Sequence, residues 1–321
     1  MAHSLVAVFC SPKAFTGVNA WNQLNALRSW RAMGDDIELI IFGAPEGAAQ
    51  AAAEVNAILV PEIETSPSGA PSFNAMVAWA MQHSRHDLLV YANCDILLNA
   101  TLLSAMQSAR RRFERFLLVG ERMDLAEGVR LDARQQNWIS QLPTLFQQGH
   151  LTAHGPTGAD YFGFVRGMWQ DLPPVFMGRG MCDQALLHYC FRQRIPVIDA
   201  TLVVVNVHQH HDYQHVASGK RQVFHGAERE IMARAHGLCR SLPTIADADW
   251  SLMPDGRLVD SGRRDRKLRQ VEMRIRYHWQ MPRAALIARA LAYLQGQNAV
   301  RPPPFHVPEL LAAWERSGSM A

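Results

Sequence analysis

Three aspartates stand where a carboxylate could act on a ligand. Asp95 comes directly after a predicted buried strand, and Asp160 comes just before another. Asp183 follows the glycine-flanked turn at residues 178–180 and begins a predicted helix. A carboxylate at a strand end can bind a divalent cation, and one held in a crevice can act as a general base. Each aspartate could instead cap a turn or a helix, which is a common role for this residue type.

A dense histidine cluster follows another apolar run. It comprises four histidines and one aspartate within eight residues, namely His208, His210, His211, Asp212 and His215. Neutral imidazoles are good ligands for transition metals. In extended geometry His208 and His210 share one face, and His211 lies on the other. The cluster predicts a metal site, although its spacing is not that of a zinc protease. A solvated histidine-rich loop is the alternative.

The elements that must position these groups alternate between strands and helices. Three apolar runs predict buried strands, at residues 5–10, 37–42 and 88–91. Helical patterns between them cover a segment that ends at Gly34, residues 46–57 and residues 72–83. Ser72, after Pro71, is the predicted N-cap of the third helix. This alternation is typical of a parallel α/β sheet, in which ligands bind beyond the carboxyl ends of the strands.

Further along the chain the pattern becomes less regular. It predicts a helix at 101–113, a strand at 116–120, irregular structure at 121–158, a strand at 161–165, a helix at 183–193 and a nearly continuous strand at 197–207. After residue 225 the pattern is mostly helical, and residues 302–304 read as a linker. We therefore expect a catalytic domain over residues 1–225 and a mainly helical extension over residues 226–321.

The composition is that of a globular protein, with 48% hydrophobic and 19% charged residues. The net charge of +3 is too small for a dedicated nucleic-acid-binding protein. Five separate cysteines without a C-x-x-C pair disfavour a disulfide framework or a structural zinc site. The chain begins without the features of a secretory signal, and no apolar stretch approaches the roughly 18 residues that span a bilayer. These features predict a cytoplasmic protein.

Four motifs, taken in order, resemble those of glycosyltransferases with the GT-A fold, most closely a bacterial and plant group. They are Y-x-N-x-D-I at residues 91–96, G-x-D-Y-F at 158–162, G-R-x-x-x-D at 178–183 and H-Q-x-H-D-Y at 208–213. Each motif alone is weak, but four in order are fairly specific. The resemblance extends from about residue 5 to about residue 220 and is thin after residue 225.

The resemblance implies a three-layer α/β/α sandwich with a mostly parallel sheet. It implies transfer of a sugar from a nucleotide-diphosphate donor, UDP- or GDP-linked, to a saccharide or lipid-linked acceptor in polysaccharide biosynthesis. Asp95 would be the last residue of a DxD-type site for Mn²⁺ or Mg²⁺, with His208 or His211 as a further ligand. Asp183 would deprotonate the acceptor hydroxyl, as in inverting members.

The same resemblance implies a set of donor-binding residues, namely Ser11, Pro12, Thr16, Asn93, Asp95, Asp160 and Arg179. Within this set, the loop at residues 11–16 would lie near the nucleotide base, and Asp160 would contact the donor sugar. We also consider that Trp169 stacks on a sugar ring. Otherwise it is a core residue, as most tryptophans are.

Three residues depart from the motifs. Asn93 stands where the first aspartate of DxD is expected, so the site has less negative charge for a cation. His210 replaces the more usual asparagine, and Cys182 replaces an acidic residue before Asp183. The asparagine at position 93 leaves open a degenerate member that binds a sugar or a partner without turnover. A nucleotidyltransferase and a metal hydrolase built on the histidines are further alternatives.

The basic segment at residues 263–276 and the amphipathic segment at 283–294 have two interpretations. They could lie on the anionic inner face of a membrane, as peripheral enzymes do. Alternatively, the apolar face of 283–294 packs on the main domain and its arginines are solvated. No aromatic stacking platform accompanies the basic run, so we do not expect nucleic acid to bind there.

Overall fold

The computed structural model describes residues 6–135, 137–211, 219–238, 242–261, 307, 310–312 and 314, apart from the side chains of 219, 220 and 222. The basic segment, the amphipathic segment and the linker predicted after residue 262 lie outside these residues, as do Asp212 and His215. Within the described ranges, no helix is both long and apolar enough to cross a bilayer.

The described residues form thirteen strands and eight α-helices. The strands are β1 Val6–Cys10, β2 Glu38–Phe42, β3 Ile58–Val60, β4 Leu88–Ala92, β5 Ile96–Leu97, β6 Leu117–Val119, β7 Met123–Leu125, β8 Leu151–Ala153, β9 Tyr161–Val165, β10 Val197–Asp199, β11 Val207–His208, β12 Trp250–Leu252 and β13 Leu258–Asp260. The helices are α1 Gly17–Arg31, α2 Ala48–Glu54, α3 Phe73–His83, α4 Thr101–Arg112, α5 Leu142–Gln147, α6 Cys182–Gln193, α7 Gly219–His225 and α8 Ala227–His236. Two 3₁₀ turns lie at Trp138–Gln141 and Ile245–Asp247.

Nine strands form a central, mostly parallel sheet in the order β13-β12-β10-β6-β9-β4-β1-β2-β3. Seven of them run in one direction, because β1 pairs in parallel with β2 and β4, β2 with β3, and β10 with β6 and β12. The other two, β9 and β13, run antiparallel to their neighbours. The predicted α/β class and mostly parallel sheet are therefore confirmed. The strand predicted at residues 161–165 forms as β9.

Helices cover both faces of this sheet, because alternate strand residues point to opposite sides. On one face, Phe9 and Tyr91 pack with residues of α3 and α6. On the other face, Val8 and Val90 pack with residues of α1, α2 and α4. The result is the predicted three-layer sandwich. Ser72 is the N-cap of α3 as predicted, since its hydroxyl accepts a hydrogen bond from the Ala75 N–H at 3.3 Å.

A second sheet of four strands, in the order β5-β11-β7-β8, corrects the prediction for residues 121–158. That segment is not irregular, because β7, a 3₁₀ turn, α5 and β8 lie within it. Its strands are three residues long, which is too short for an alternating pattern to appear. They enclose a separate apolar core that includes Leu125, Trp138 and Trp314.

The prediction of a nearly continuous strand at residues 197–207 is also wrong. The chain turns after β10, where the Asp199 carboxylate accepts hydrogen bonds from the backbone N–H and the hydroxyl of Thr201. The Val204 N–H then bonds to the Ala200 carbonyl at 2.9 Å, and the chain resumes as β11 in the second sheet. A run of β-branched residues in a sequence indicates that the segment is buried, but it cannot show where the chain leaves one sheet and enters another.

Residues 250–260 contain β12 and β13, which the sequence pattern did not predict. Both strands extend the central sheet beyond β10, and a turn at residues 254–256 joins them. The division of the chain at residue 225 stays a prediction.

Candidate functional site

One cavity of about 1190 Å³ lies beyond the carboxyl ends of β1 and β4. It is lined by ten candidate residues predicted from the sequence, namely Ser11, Pro12, Thr16, Asn93, Asp95, Asp160, Arg179, Asp183, His208 and His211. They come from separate loops of the chain, which the fold brings to a single crevice. This is the place where an open α/β sheet binds ligands.

Three of these side chains could hold a metal ion together. One ligand atom each of Asp95, His208 and His211 lies within 4.8 Å of the others. Within this group, His211 Nε2 lies 3.1 Å from Asp95 Oδ2. The pairing of β5 with β11 positions the cluster, because it sets His208 opposite Ile96, the residue after Asp95. His210, by contrast, is exposed and does not line the cavity.

Asp95 has the properties expected of a cation ligand. Burial would raise its pKa, but the hydrogen bond with His211 and the charges of His208 and Lys13 outweigh this effect and hold the pKa well below its usual range. Its second oxygen, Oδ1, is buried and has no hydrogen-bond partner among the described residues. A buried, unpaired carboxylate oxygen is costly. The carboxylate suits Mg²⁺ or Mn²⁺, and the two imidazoles suit transition-metal ions, so the mixed set fits Mn²⁺ better than Mg²⁺.

Asn93 adopts a role that an aspartate could not fill. Its amide Nδ2 donates to Asp160 Oδ1 at 2.6 Å, and its Oδ1 accepts from the Tyr91 hydroxyl at 3.1 Å. An aspartate at this position would place two carboxylates against each other, which is unfavourable when both are ionised. The departure from DxD therefore has a local physical reason. Asp160 Oδ2 accepts from Arg122 Nη1, so both oxygens of Asp160 have protein partners. Its contact with a donor sugar stays a prediction.

A network behind His208 was missed by the sequence analysis. Asp124 Oδ1 lies 3.3 Å from His208 Nδ1, and Asp124 Oδ2 lies 2.7 Å from His154 Nδ1. Arg122 Nε donates to Asp124 Oδ1 at 2.8 Å, and the same guanidinium also reaches Asp160. Carboxylates that hold the second ring nitrogen of a metal-binding histidine orient the ring and fix its tautomer. No sequence signal marked these residues, because they lie in the segment that was predicted to be irregular.

Asp183 lies at the start of α6 and lines the same cavity. It is the second residue of the helix and not its N-cap, which is Met181 in the left-handed conformation (φ 79°). Burial raises the pKa of Asp183 to about 7, and Asp160 adds to this, while backbone N–H groups of Gln184 and Ala159 oppose it. A carboxyl group with a pKa near neutrality is suited to act as a general base.

Arg179 lines the cavity next to a buried glutamate. Arg179 Nε is 3.8 Å from Glu228 Oε2, and Glu228 also accepts hydrogen bonds from Ser66 and Ser68 at 2.7 and 2.6 Å. The turn around Arg179 is held against α7 by the hydrogen bond from Gly180 N–H to the Val223 carbonyl at 2.8 Å. A side chain at residue 180 would meet the backbone of residue 224 at 3.1 Å, so glycine is favoured there.

Buried amides on α1 hold the loops that carry the candidate ligands. Asn22 Nδ2 donates to the His210 carbonyl at 2.9 Å, and Asn25 Nδ2 donates to Gln209 Oε1 at 2.8 Å. Gln209 in turn donates its backbone N–H to the Asp95 carbonyl at 3.1 Å. The helix itself was predicted from its apolar spacing, but these polar residues gave no signal of their own.

Trp169 does not line the cavity. It is only 7% exposed and packs against Phe73 and Phe164, with ring centroids 5.6 and 5.4 Å apart. Of the two interpretations of Trp169, the core residue is confirmed, because neighbouring aromatic rings cover it. Ser11, Pro12 and Thr16 do line the cavity, in the loop that follows β1.

No protein-family model matches the chain, and no curated protein matches it. Solved structures are similar at low identity. Glucosyl-3-phosphoglycerate synthase from Mycobacterium tuberculosis, in complex with Mg²⁺ and UDP, is 12% identical over 75% of this chain and 82% of that chain, with a TM-score of 0.44. S. aureus TarS (residues 1–349) is 13% identical over 39% of this chain and 38% of that chain, with a TM-score of 0.31. Both TM-scores are below 0.5, so these similarities carry no functional argument.

Proposed function

We propose that the protein is a glycosyltransferase that uses a nucleotide-diphosphate sugar and a divalent cation. The observation that carries this proposal is the placement of two different carboxylates in one crevice. Asp95 is ionised and lies beside two imidazoles, and its buried Oδ1 has no hydrogen-bond partner in the part of the chain that the structure describes. Asp183 has a pKa raised to about 7. Two carboxyl groups in such different environments are suited to different chemical tasks.

The first task is to bind the diphosphate of the donor. Asp95, His208 and His211 would hold Mn²⁺ or Mg²⁺. When bound, a divalent cation stabilises the leaving diphosphate as a Lewis acid. The Asn93–Asp160–Arg122 contacts hold the loop after β4 in place beside these ligands. The loop after β1, with Ser11, Pro12 and Thr16, forms the part of the cavity where we place the nucleotide.

The second task is to activate the acceptor hydroxyl. In its ionised form, Asp183 would accept the hydroxyl proton as the oxygen attacks the donor sugar. We place Asp183 on the face of the donor sugar opposite the diphosphate, which would make the reaction inverting. Arg179, on the preceding turn, would contact the donor or acceptor. We place a saccharide or lipid-linked acceptor on this side.

A thermal-shift panel followed by a turnover assay tests the proposal. UDP, GDP, dTDP and CDP are each tested with Mn²⁺ and with EDTA, because a ligand that binds only the folded state raises the melting temperature. We expect one nucleotide to raise it only with Mn²⁺. The matching sugar nucleotides are then incubated with the protein and a panel of saccharide and lipid-linked acceptors, and release of the nucleoside diphosphate is compared with that in the absence of an acceptor. Nucleotide binding without turnover of any donor would favour the non-catalytic alternative, and no binding at all would contradict the proposal.

A further inference from the structure

Lys13 lines the cavity beside Asp95, and the proposed function assigns it no role toward the donor. It is one of only three lysines in a chain with 32 basic residues. Its side chain is 28% exposed, and its Nζ lies 3.8 Å from Asp95 Oδ2. The same Nζ lies 3.4 Å from His211 Nε2. An ammonium group therefore stands beside two of the three groups that could bind a divalent cation.

The loop that carries Lys13 is held by a buried amide of α1. The Lys13 backbone N–H donates to Gln23 Oε1 at 2.6 Å, and Gln23 Nε2 donates back to the Lys13 carbonyl at 3.0 Å. Gln23 is only 3% exposed. Because both polar groups of the Lys13 backbone are bound to one fixed side chain, the ammonium group is directed into the crevice by the fold. A flexible surface lysine would lack this support.

The charges of the site favour a role for Lys13 toward an anion. Asp95 and Lys13 sum to zero when the histidines are neutral, so a bound divalent cation would leave a charge of about +2. The diphosphate of a sugar nucleotide carries about −2, and it gains charge as the sugar leaves. Asn93 supplies no carboxylate that would reduce this positive charge. A lysine is an effective phosphate ligand because its ammonium group can donate several hydrogen bonds.

We infer that Lys13 binds the diphosphate of the donor and shares Asp95 with the cation. Without ligand, Lys13 neutralises Asp95. With the nucleotide bound, its ammonium group contacts the diphosphate beside the cation. This inference rests on the proposed function, and it adds a binding residue in the loop after β1. It also predicts two opposite effects of removing the Lys13 ammonium group. The affinity for the cation should rise, because a competing positive charge is lost. The affinity for the diphosphate should fall, because one of its ligands is lost.

The test measures the binding of two simple probes to the full chain by calorimetry. The probes are Mn²⁺ alone and inorganic pyrophosphate in the presence of Mn²⁺. Lys13→Met keeps most of the side-chain volume and removes the charge. We expect this variant to bind Mn²⁺ about 3- to 10-fold more tightly, because a nearby positive charge is lost. We expect it to bind pyrophosphate about 10- to 100-fold more weakly, because charge-assisted hydrogen bonds are lost.

Two further variants make the result specific. Lys13→Arg keeps the charge, and we expect its pyrophosphate affinity to stay within about 3-fold of wild type, since arginine also binds phosphates. Arg134→Met removes an exposed cation that pairs with Asp132, and both affinities should stay within about 2-fold. If Lys13→Met folds poorly, the test relies on Lys13→Arg, with Arg134→Met as its control. A loss of pyrophosphate affinity beyond about 10-fold in Lys13→Arg would then overturn the inference.

Failure of the Lys13 inference and failure of the proposed function give different binding results. If Lys13→Met weakens both probes, Lys13 only supports Asp95 and His211, and the inference is overturned. Unchanged pyrophosphate affinity would overturn it as well. In either case a wild-type protein that binds both probes leaves the proposed function standing. A wild-type protein that binds neither Mn²⁺ nor pyrophosphate would contradict the proposed function itself.

Discussion

His211 Nε2 lies 3.1 Å from Asp95 Oδ2, and this contact joins the loop between β4 and β5 to the loop after β11. Asp95 follows β4 of the central sheet, whereas His211 follows β11 of the second sheet. Asp95 and His211 come together because β5, directly after Asp95, pairs with β11. The candidate ligands therefore do not belong to one strand end. Their geometry depends on the pairing of β5 with β11, which brings the loop after β4 to the loop after β11.

Asp95→Asn should remove cation binding. The substitution keeps the shape of the side chain but deletes the one carboxylate among the three described ligands, so we expect Mn²⁺ affinity to fall at least about 100-fold. Electron paramagnetic resonance of free Mn²⁺ during a titration measures this directly. Asp132→Asn, which alters a carboxylate that pairs with Arg134, is the matched control and should bind like wild type. Equal Mn²⁺ affinities for the two variants would exclude Asp95 as a ligand.

Asp183→Asn should separate catalysis from donor binding. An amide cannot accept the proton of the acceptor hydroxyl, so we expect kcat to fall about 10²- to 10⁴-fold. The nucleoside diphosphate should still raise the melting temperature, because Asp183 lies on α6 and not in the Asp95 cluster. Initial rates and thermal shifts on the same preparation provide both values. Normal turnover by this variant would show that another group is the base.

The transfer rate should depend on pH through Asp183. Because burial raises its pKa to about 7, the ionised form that acts as the base is lost as the pH falls below 7. We expect kcat/KM to rise about tenfold per pH unit below this value and to level off above it. The check is a rate profile from about pH 5.5 to about pH 9 in buffers of constant ionic strength. A flat profile across pH 7 would contradict the assignment.

The same group makes folding stability depend on pH with a defined sign. The pKa of Asp183 is about 7 in the folded protein, against 3.8 for an unperturbed aspartate, so the folded state binds the extra proton between these values. The contribution of Asp183 to the free energy of unfolding is therefore largest below about pH 4 and declines as the pH rises to about 7. Urea unfolding at about pH 5 and about pH 7 measures this decline, which should be smaller in Asp183→Asn.

Asp124→Asn should lower the affinity of the site for a cation, although Asp124 is not one of the three candidate ligands. Asp124 holds His208 Nδ1 at 3.3 Å, and its loss leaves the imidazole free to change tautomer and orientation. We expect Mn²⁺ affinity to fall about 10- to 100-fold. Electron spin-echo spectroscopy counts the bound imidazole nitrogens, and the variant should show one fewer than wild type. An unchanged imidazole count with a lowered melting temperature would show that Asp124 is only structural.

Asn25→Ala should destabilise the fold and loosen the site. The amide donates to the Leu131 carbonyl at 2.6 Å and to Gln209 Oε1, and it accepts from the Ala133 N–H at 2.8 Å. These buried partners would lose their hydrogen bonds, so we expect the free energy of unfolding to fall by about 2–4 kcal/mol. Urea denaturation measures it. Gln50→Ala, at an exposed helical position, should change it by less than about 0.5 kcal/mol.

Long elements with buried apolar residues were predicted well. The strands β1, β2 and β4 and the helices α1, α3 and α4 formed close to their predicted bounds. The strands contain continuous runs of buried apolar residues, and the helices carry apolar residues at helical spacing. The second sheet was missed for the opposite reason. Its strands have two or three residues. Their apolar side chains form a core with residues that are distant in sequence, such as Trp138 and Trp314.

The amino-acid sequence by itself determined which groups are available for chemistry: the aspartates, the histidine cluster and their order along an α/β chain. Residue type decides whether a side chain can bind a cation or accept a proton, and this needs no neighbours. Only the tertiary structure decided that His211 faces Asp95 while His210 is exposed, and that Asn93 bonds to Asp160. These contacts join residues far apart in the chain, so they depend on strand pairing and on the buried amides of α1. The pKa values of Asp95 and Asp183 diverge for the same reason, since burial and charged neighbours exist only once the chain has folded.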